Sequence, residues 1–317
     1  ARLKSDSGQV VRLTYTGEPL PSDRESVFWF NMLELPQKSN EENKLSFAVR
    51  TRIKVFFRPK ALRAYASSMK RDITPKDEVR RLQGLRDQFG FDAFKFRVGA
   101  EYGHDKDEWP GRTEEIVPAM RQGLGGDVEL LVDANSCYSP ARAIEVGRML
   151  EANGICHFEE PCPYWELEQT RTVREALSID VTGGEQDCYL PMWKHMIAMH
   201  AVDIVQPDVC YMGGMVRSLQ VAQMAHAAGL PCTPHSANLS LVTLFTMHLL
   251  CAIPNPGKYL EFSIEGSDYY PWQEGLYVES PYQIKDGHIE LPAGPGWGVE
   301  IHPDWLQRAS YQMSEVS

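Results

Sequence analysis

The sequence predicts an α/β fold, a barrel of parallel strands wrapped by helices. Three observations carry this. From about residue 62 onward, short apolar runs alternate with longer amphipathic ones. There are eight of the first kind and seven of the second. Every apolar run from the second to the eighth ends on an ionisable residue. Strands joined by helical crossovers must run parallel. Eight of them in about 200 residues fit a closed (β/α) barrel, with its site at the strand ends. An open doubly wound sheet is the alternative, and it would place the site at one crevice.

The strand runs are 63–67, 93–98, 129–133, 156–159, 181–185, 203–206, 231–235 and 259–262. Between them, helices are expected over 75–88, 113–124, 140–153, 166–177, 191–200, 215–228 and 239–253. The first starts after Thr74 with Pro75 in its first turn, and the third after Ser139 with Pro140. Both pairs combine a capping oxygen with a residue whose missing N–H costs nothing there. The second carries Glu114 and Glu115 in its first turn, where the helix dipole favours acids.

The flanks read differently. Residues 1–60 hold β-prone stretches at 27–30 and 52–57, punctuated by Pro19, Pro21, Pro36 and Pro59, with a polar linker at 36–44. They form a small, separate, β-rich or irregular segment. Residues 61–266 are the barrel. Residues 267–317, rich in Gly, Pro and aromatics, form a C-terminal tail expected to pack near the N-terminal region. The run at 294–298 lacks the G-x-G-x-x-G spacing of a phosphate-binding loop and reads as a turn.

With 43% hydrophobic and 24% charged residues in 317, the chain has the composition of a folded globular protein. Its longest apolar run, 239–253, is fifteen residues and contains Ser240, Thr243, Thr246 and His248. That is too short and too polar for a membrane span. No apolar signal-peptide core stands in residues 1–10. The seven cysteines are odd in number and form no C-x-x-C, which excludes a disulfide framework or zinc ribbon and predicts a reduced, cytoplasmic setting. The net charge of −11 argues against nucleic-acid binding. Residues 1–60 carry a net +4 and the remaining 257 a net −15. An acidic part that binds a cation is one explanation of this asymmetry, and ordinary surface solubility is the simpler one that net charge alone favours.

The strand ends carry the chemistry. Asp133, Glu159 and Glu185 close the third, fourth and fifth strands at intervals of 26 residues. Neighbouring strands lie about 4.8 Å apart, so the three carboxylates converge. Unneutralised, they would repel or hold protons. A hard divalent cation resolves the conflict, and all-oxygen ligands favour Mg²⁺. Asp208 and His235 end the sixth and seventh strands. An Asp that accepts from one ring nitrogen makes the other a better base. Lys95 and Arg97, at i and i+2 on the second strand, point the same way. They face the metal across the barrel and suit a substrate carboxylate, or else pair with a neighbouring acid. Glu261 closes the ring, either as a protonated acid on the substrate carboxylate or as the partner of a Lys or Arg. The set describes abstraction of a proton α to a carboxylate, with charge building up on an enediolate.

Lys95-x-Arg97, VDAN at 132–135, FEEP at 158–161, GGEQ at 183–186, QPD at 206–208, PHS at 234–236 and LEFS at 260–263 together resemble the enolase superfamily. The Asp208/His235 dyad resembles its mandelate racemase subgroup. The resemblance covers about residues 62–300 and implies a (β/α)₇β barrel, a TIM-like fold. It implies Asp133, Glu159 and Glu185 as Mg²⁺ ligands, and His235 oriented by Asp208 as general acid/base. Lys95 and Glu261 would touch the substrate carboxylate, with Asn135 and Ser236 as further substrate contacts.

Two departures stand out. Many members have Lys-x-Lys on the second strand, and here the second residue is Arg97, which stays protonated and is a poor base. A racemase of the mandelate type needs a base on each face. A dehydratase can use His235 alone, first for the α proton and then for the leaving hydroxyl. That favours dehydration of an acid sugar to a 2-keto-3-deoxy acid, with a hydroxy-acid racemase or epimerase as the alternative. The second departure is at the N-terminus, where residues 1–60 are too short for the subgroup's α+β capping domain. A non-catalytic homologue with an incomplete cap is therefore a further alternative. The expected partners are a small carboxylate substrate and other copies of the chain in a homo-oligomer.

Overall fold

The computed structural model of the chain describes residues 26–34, 49–57 and 61–310. It divides into two units, 1–59 and 60–317. In the first, β1 (Ser26–Glu34) and β2 (Val49–Phe57) pair antiparallel from Ser26↔Phe57 to Glu34↔Val49. The polar linker foreseen at 36–44 lies outside the described residues.

The second unit is the barrel. Its strands are β3 (Ala61–Ser67), β4 (Ala93–Arg97), β5 (Glu129–Asp133), β6 (His157–Glu159), β7 (Asp180–Gly183), β8 (Ile204–Val205) and β9 (Leu260–Ser263). They pair in parallel in sequence order, and β9 returns to pair with β3. The expected seventh strand shrinks to Cys232, which bridges Val205 on one side and Pro256 on the other. Pro231 and Pro234 flank it, and proline cannot donate to a ladder. The ring therefore closes, and the open-sheet alternative is excluded.

Seven helices cross between strands: α1 (Pro75–Phe89), α2 (Arg112–Leu124), α3 (Pro140–Ala152), α4 (Leu167–Ala176), α5 (Leu190–Ala198), α6 (Met215–Ala227) and α7 (Leu241–Leu250). The two expected caps form: Thr74 Oγ1 accepts from Asp77 N at 3.2 Å and Ser139 Oγ from Arg142 N at 3.5 Å. Leu82, Ile116, Met120, Val146, Leu150, Val173, Trp193, Val221, Ala225 and Met247 turn the helices' apolar faces onto the barrel wall, all essentially fully buried. Inside the lower barrel, Tyr65, Ala93, Leu131 and Tyr259 pack as a separate apolar layer.

The tail holds regular structure that its Gly- and Pro-rich composition does not announce. β10 (Ile284–Lys285) and β11 (His288–Glu290) form a hairpin, and β11 pairs antiparallel with the start of β3. Asp286 and Gly287 make the turn, both at positive φ, 49° and 69°. That is the Asp-Gly signature of a two-residue hairpin loop, a signal that composition hides. A short helix, α8 (Pro303–Arg308), follows. Among the described residues no helix is long and apolar enough to cross a membrane.

Candidate functional site

Register sets the site. Arg97 lies opposite Asp133, and Asp133 opposite Glu159, on β4, β5 and β6. Three acidic or basic side chains thus enter the barrel at one level. Lys95 enters one step lower, because inward positions recur every second residue. Glu185 follows the end of β7 through Gly184, whose φ is 108°. A Cβ on Gly184 would lie 2.2 Å from the Trp193 ring, so only glycine lets the chain turn Glu185 inward here. Asn135, Ser136 and Glu160 also adopt positive φ, at 41°, 63° and 40°. Such strain in non-glycine residues gathers at functional sites.

Oxygens of Asp133, Glu159 and Glu185 come within 4.8 Å of one another, and all three residues are buried. Lys95 Nζ reaches Glu159 Oε2 at 2.8 Å, Glu261 Oε1 at 2.7 Å and Asp133 Oδ2 at 3.6 Å. Burial alone would lower the Lys95 pKa, but Glu159 and Glu261 outweigh it and hold the ammonium charged. Arg97 donates from Nη1 to Asp133 and, at 2.7 Å, to Asn135 Oδ1, and from Nε to Ser68 O at 3.1 Å. Both cations of the second strand therefore rest on acids, the second of the two readings open to them. Glu261 does likewise: burial pushes its carboxyl up, but Lys95 and His235 pull it below the ordinary range. It also accepts from Ser67 Oγ at 2.8 Å and from the Ser236 backbone N–H at 2.9 Å. The Ser236 hydroxyl is engaged with Thr243 Oγ1 at 2.6 Å.

The dyad is assembled. His235 Nδ1 stands 2.8 Å from Asp208 Oδ2, and Asp208 Oδ1 accepts the backbone N–H groups of Cys210 and Tyr211 at 2.7 and 3.0 Å. The aspartate is thereby locked, and it fixes the imidazole's tautomer. His235 Nε2 points at Glu185 Oε2, 3.3 Å away, without hydrogen-bond geometry. Burial lowers the His235 pKa, but Glu185, Glu261 and Asp208 raise it further, to about 10.

A residue absent from the sequence reading joins the ring. Glu160, second acid of FEEP, would face outward in a regular strand, but its left-handed φ turns it into the site. Burial, then Glu185 and Glu159, push its carboxyl well above the ordinary range. Six buried carboxylates, Asp133, Glu159, Glu160, Glu185, Asp208 and Glu261, thus surround the buried cations Lys95 and Arg97. Oε2 of Glu185 and Oε1 of Glu160 are buried without a hydrogen-bond partner. Excess negative charge, orphaned oxygens and an all-oxygen donor set fit a hard divalent cation.

Two family models match separate parts of the chain. A family described as enolase C-terminal domain-like matches residues 77–305. One described as the PapD N-terminal domain of pili and flagellar-assembly chaperones matches residues 1–63. Arabinonate dehydratase of Saccharolobus solfataricus is 30% identical over 230 residues, 71% of this chain and 58% of that protein. D-galactarolactone cycloisomerase of Agrobacterium fabrum is 31% identical over 257 residues, 78% of this chain and 64% of that protein. The chain thus spans less than two-thirds of the length of these curated relatives. A crystal structure from Roseobacter denitrificans, provisionally described as a racemase, is 70% identical with a TM-score of 0.79, over 81% of this chain and 70% of that one. A mandelate racemase/muconate lactonizing protein from Paracoccus denitrificans PD1222, solved with magnesium, is 29% identical with a TM-score of 0.71, over 78% and 66%.

Proposed function

The chain belongs to the enolase superfamily, in its mandelate racemase and muconate lactonizing branch, and on that premise we propose that its barrel dehydrates an acid sugar to a 2-keto-3-deoxy acid. The supporting observation is the asymmetry of the site. His235 is held by Asp208 with Nε2 aimed inward, whereas His157, the other buried imidazole nearby, stands one step lower on β6 with Nε2 on Thr182 Oγ1 at 3.0 Å and 3.6 Å from Glu159. The second-strand cations opposite are both spent on carboxylates, Lys95 on Glu159 and Glu261 and Arg97 on Asp133. A guanidinium is moreover a poor base.

Asp133, Glu159 and Glu185 would hold Mg²⁺, which when bound supplies positive charge to the substrate carboxylate as its α carbon loses a proton. With Glu185 engaged by a cation instead of facing the imidazole alone, His235 Nε2 would be neutral and take that proton, and Asp208 stabilises the imidazolium. Lys95, beside Glu261, offers a buried ammonium where carboxylate charge builds up. The same Nε2 then returns the proton to the β-hydroxyl, which leaves as water on the same face. The enol left behind becomes the 2-keto-3-deoxy acid. Asn135 donates toward Asp133 and Glu185 at 3.4 and 3.5 Å and is placed to meet substrate hydroxyls. Ser236 contributes through its backbone, by holding Glu261.

The same reading assigns the chemistry to residues 61–266, with 1–60 as an atypical N-terminal segment and 267–317 as a C-terminal tail. The relatives include dehydratases and a cycloisomerase, and the Roseobacter structure favours a racemase or epimerase as the second reading. A panel of acid sugars with Mg²⁺, assayed for 2-keto-3-deoxy product, decides between them. Product with water lost is expected. Epimerisation without water loss would replace the dehydratase reading.

A further inference from the structure

The buried imidazole of His157 takes no part in the chemistry above. It lies on β6, two residues before the candidate ligand Glu159, so both side chains enter the barrel on the same face. Register sets its level. Leu131 pairs with Lys95 on one side and with His157 on the other, which puts ammonium and imidazole at one height beneath the carboxylates. His157 is 5% exposed. Its Nε2 stands 3.0 Å from Thr182 Oγ1 and 3.6 Å from Glu159 Oε2. Thr182 lies opposite Glu159 on β7, so the three side chains meet at one corner of the site.

The tautomer follows from the neighbours. A bare Nε2 would turn its lone pair toward a carboxylate oxygen in a buried place of low dielectric, which is repulsive. The proton therefore belongs on Nε2, where it donates to Thr182 Oγ1 and turns its positive end to Glu159. At 3.6 Å the second contact is between a charge and a dipole and is not a made hydrogen bond. Burial pushes the Glu159 carboxyl up, but Lys95 and then His157 bring it well below the ordinary range.

Lys95 also donates to Glu159, and it is shared. Its Nζ serves Glu261 and Asp133 as well, and in the dehydration above it meets the charge on the substrate carboxylate. Each of these claims loosens its hold on Glu159. The rigid imidazole, anchored by Thr182, stays beside Glu159 throughout. Ligating carboxylates keep their orientation through donors behind them, and those donors carry much of a site's affinity. We propose that His157 is a positioning residue for the candidate Mg²⁺ site, its Nε2–H holding Glu159 ready to ligate while Lys95 is drawn to substrate. This rests on the reading of the three carboxylates as a metal site and not on which acid sugar reacts.

The test titrates Mg²⁺ alone into the full chain by calorimetry, without substrate, on the parent and two variants. His157→Gln places an amide N–H where Nε2 stands. His157→Asn is equally polar and uncharged but ends where Nδ1 stands, short of Glu159. Gln should keep the Kd for Mg²⁺ within about threefold of the parent's, and Asn should raise it about tenfold or more. The metal-free Tm separates positioning from packing. A residue that only fills the core would lower Tm in both variants and leave both Kd values at the parent's. Asn binding Mg²⁺ as tightly as the parent would overturn the inference. An equal loss in both variants would overturn it too, since the ring's shape and not its N–H would then matter. If Asn does not fold, Gln decides alone: a parent-like Kd upholds the inference, and a loss of about tenfold overturns it. If the parent binds no Mg²⁺, the metal reading itself fails and this inference with it. If the parent binds and only the order of the variants is wrong, the metal reading stands without His157.

Discussion

Gly184 precedes the candidate ligand Glu185 at a φ of 108°, with the Trp193 ring where a Cβ would go. Gly184→Ala combines backbone strain with an overlap against a buried indole. It should destabilise the fold by about 1–3 kcal/mol, read as a lowered urea midpoint; an unchanged midpoint would mean that Trp193 yields freely. His235→Asn acts on chemistry instead of folding. It keeps a side chain that can face Asp208 but cannot accept the α proton. Turnover should drop about 10²–10⁴-fold while the thermal midpoint stays close to the parent's. Retained turnover would remove His235 from its role. Asp133 and Glu159 were legible in the sequence because they end β5 and β6, and Asp208 and Glu261 because they stand just past β8 and within β9 at a matching spacing. Glu160 was not, because it needs a left-handed turn to enter the site.

Among elements, helices matched expectation to within three residues, and α1 and α3 start where expected because Thr74–Pro75 and Ser139–Pro140 announce their own starts. The seventh strand did not match: prolines on both sides leave Cys232 alone to pair. The β10–β11 hairpin was missed because a Gly/Pro-rich composition masks an Asp-Gly turn. Glu151, near the end of α3, gives these elements a pH dependence. It accepts both the backbone N–H of Ser178, at 2.6 Å, and its hydroxyl, at 2.7 Å, tying α3 to the approach to β7. Those bonds hold its carboxyl below the usual 4.5. A depressed acid contributes stability above its unfolded pKa and loses it as pH falls through the folded value. Glu151→Gln should therefore lower Tm at pH 7, and the difference from the parent should shrink as pH falls below about 4.5. A difference that persists or grows in acid would mean that the charge on Glu151 contributes nothing.

In the barrel unit as a whole, buried negative charge exceeds buried positive charge at the mouth, and a divalent cation should be felt in global stability. Mg²⁺ at about a hundred times its Kd should add about 2.7 kcal/mol, seen as a rise in Tm that a chelator reverses. Glu185→Gln should abolish most of that rise and, without metal, be at least as stable as the parent, since it removes a buried charge that burial already pushes toward protonation. Around the mouth, Tyr102, Trp165, Tyr189, Tyr211, Tyr269 and Trp272 stand 45–62% exposed on loops that follow strands. The central claim is that one base, His235, works on one face of the substrate. The most direct test is proton NMR in D₂O with Mg²⁺ and both C2 epimers of an accepted acid sugar. The account predicts that one epimer loses water to a 2-keto-3-deoxy acid while the other keeps its α proton. Exchange of the α proton from both epimers, with no water lost, would contradict it.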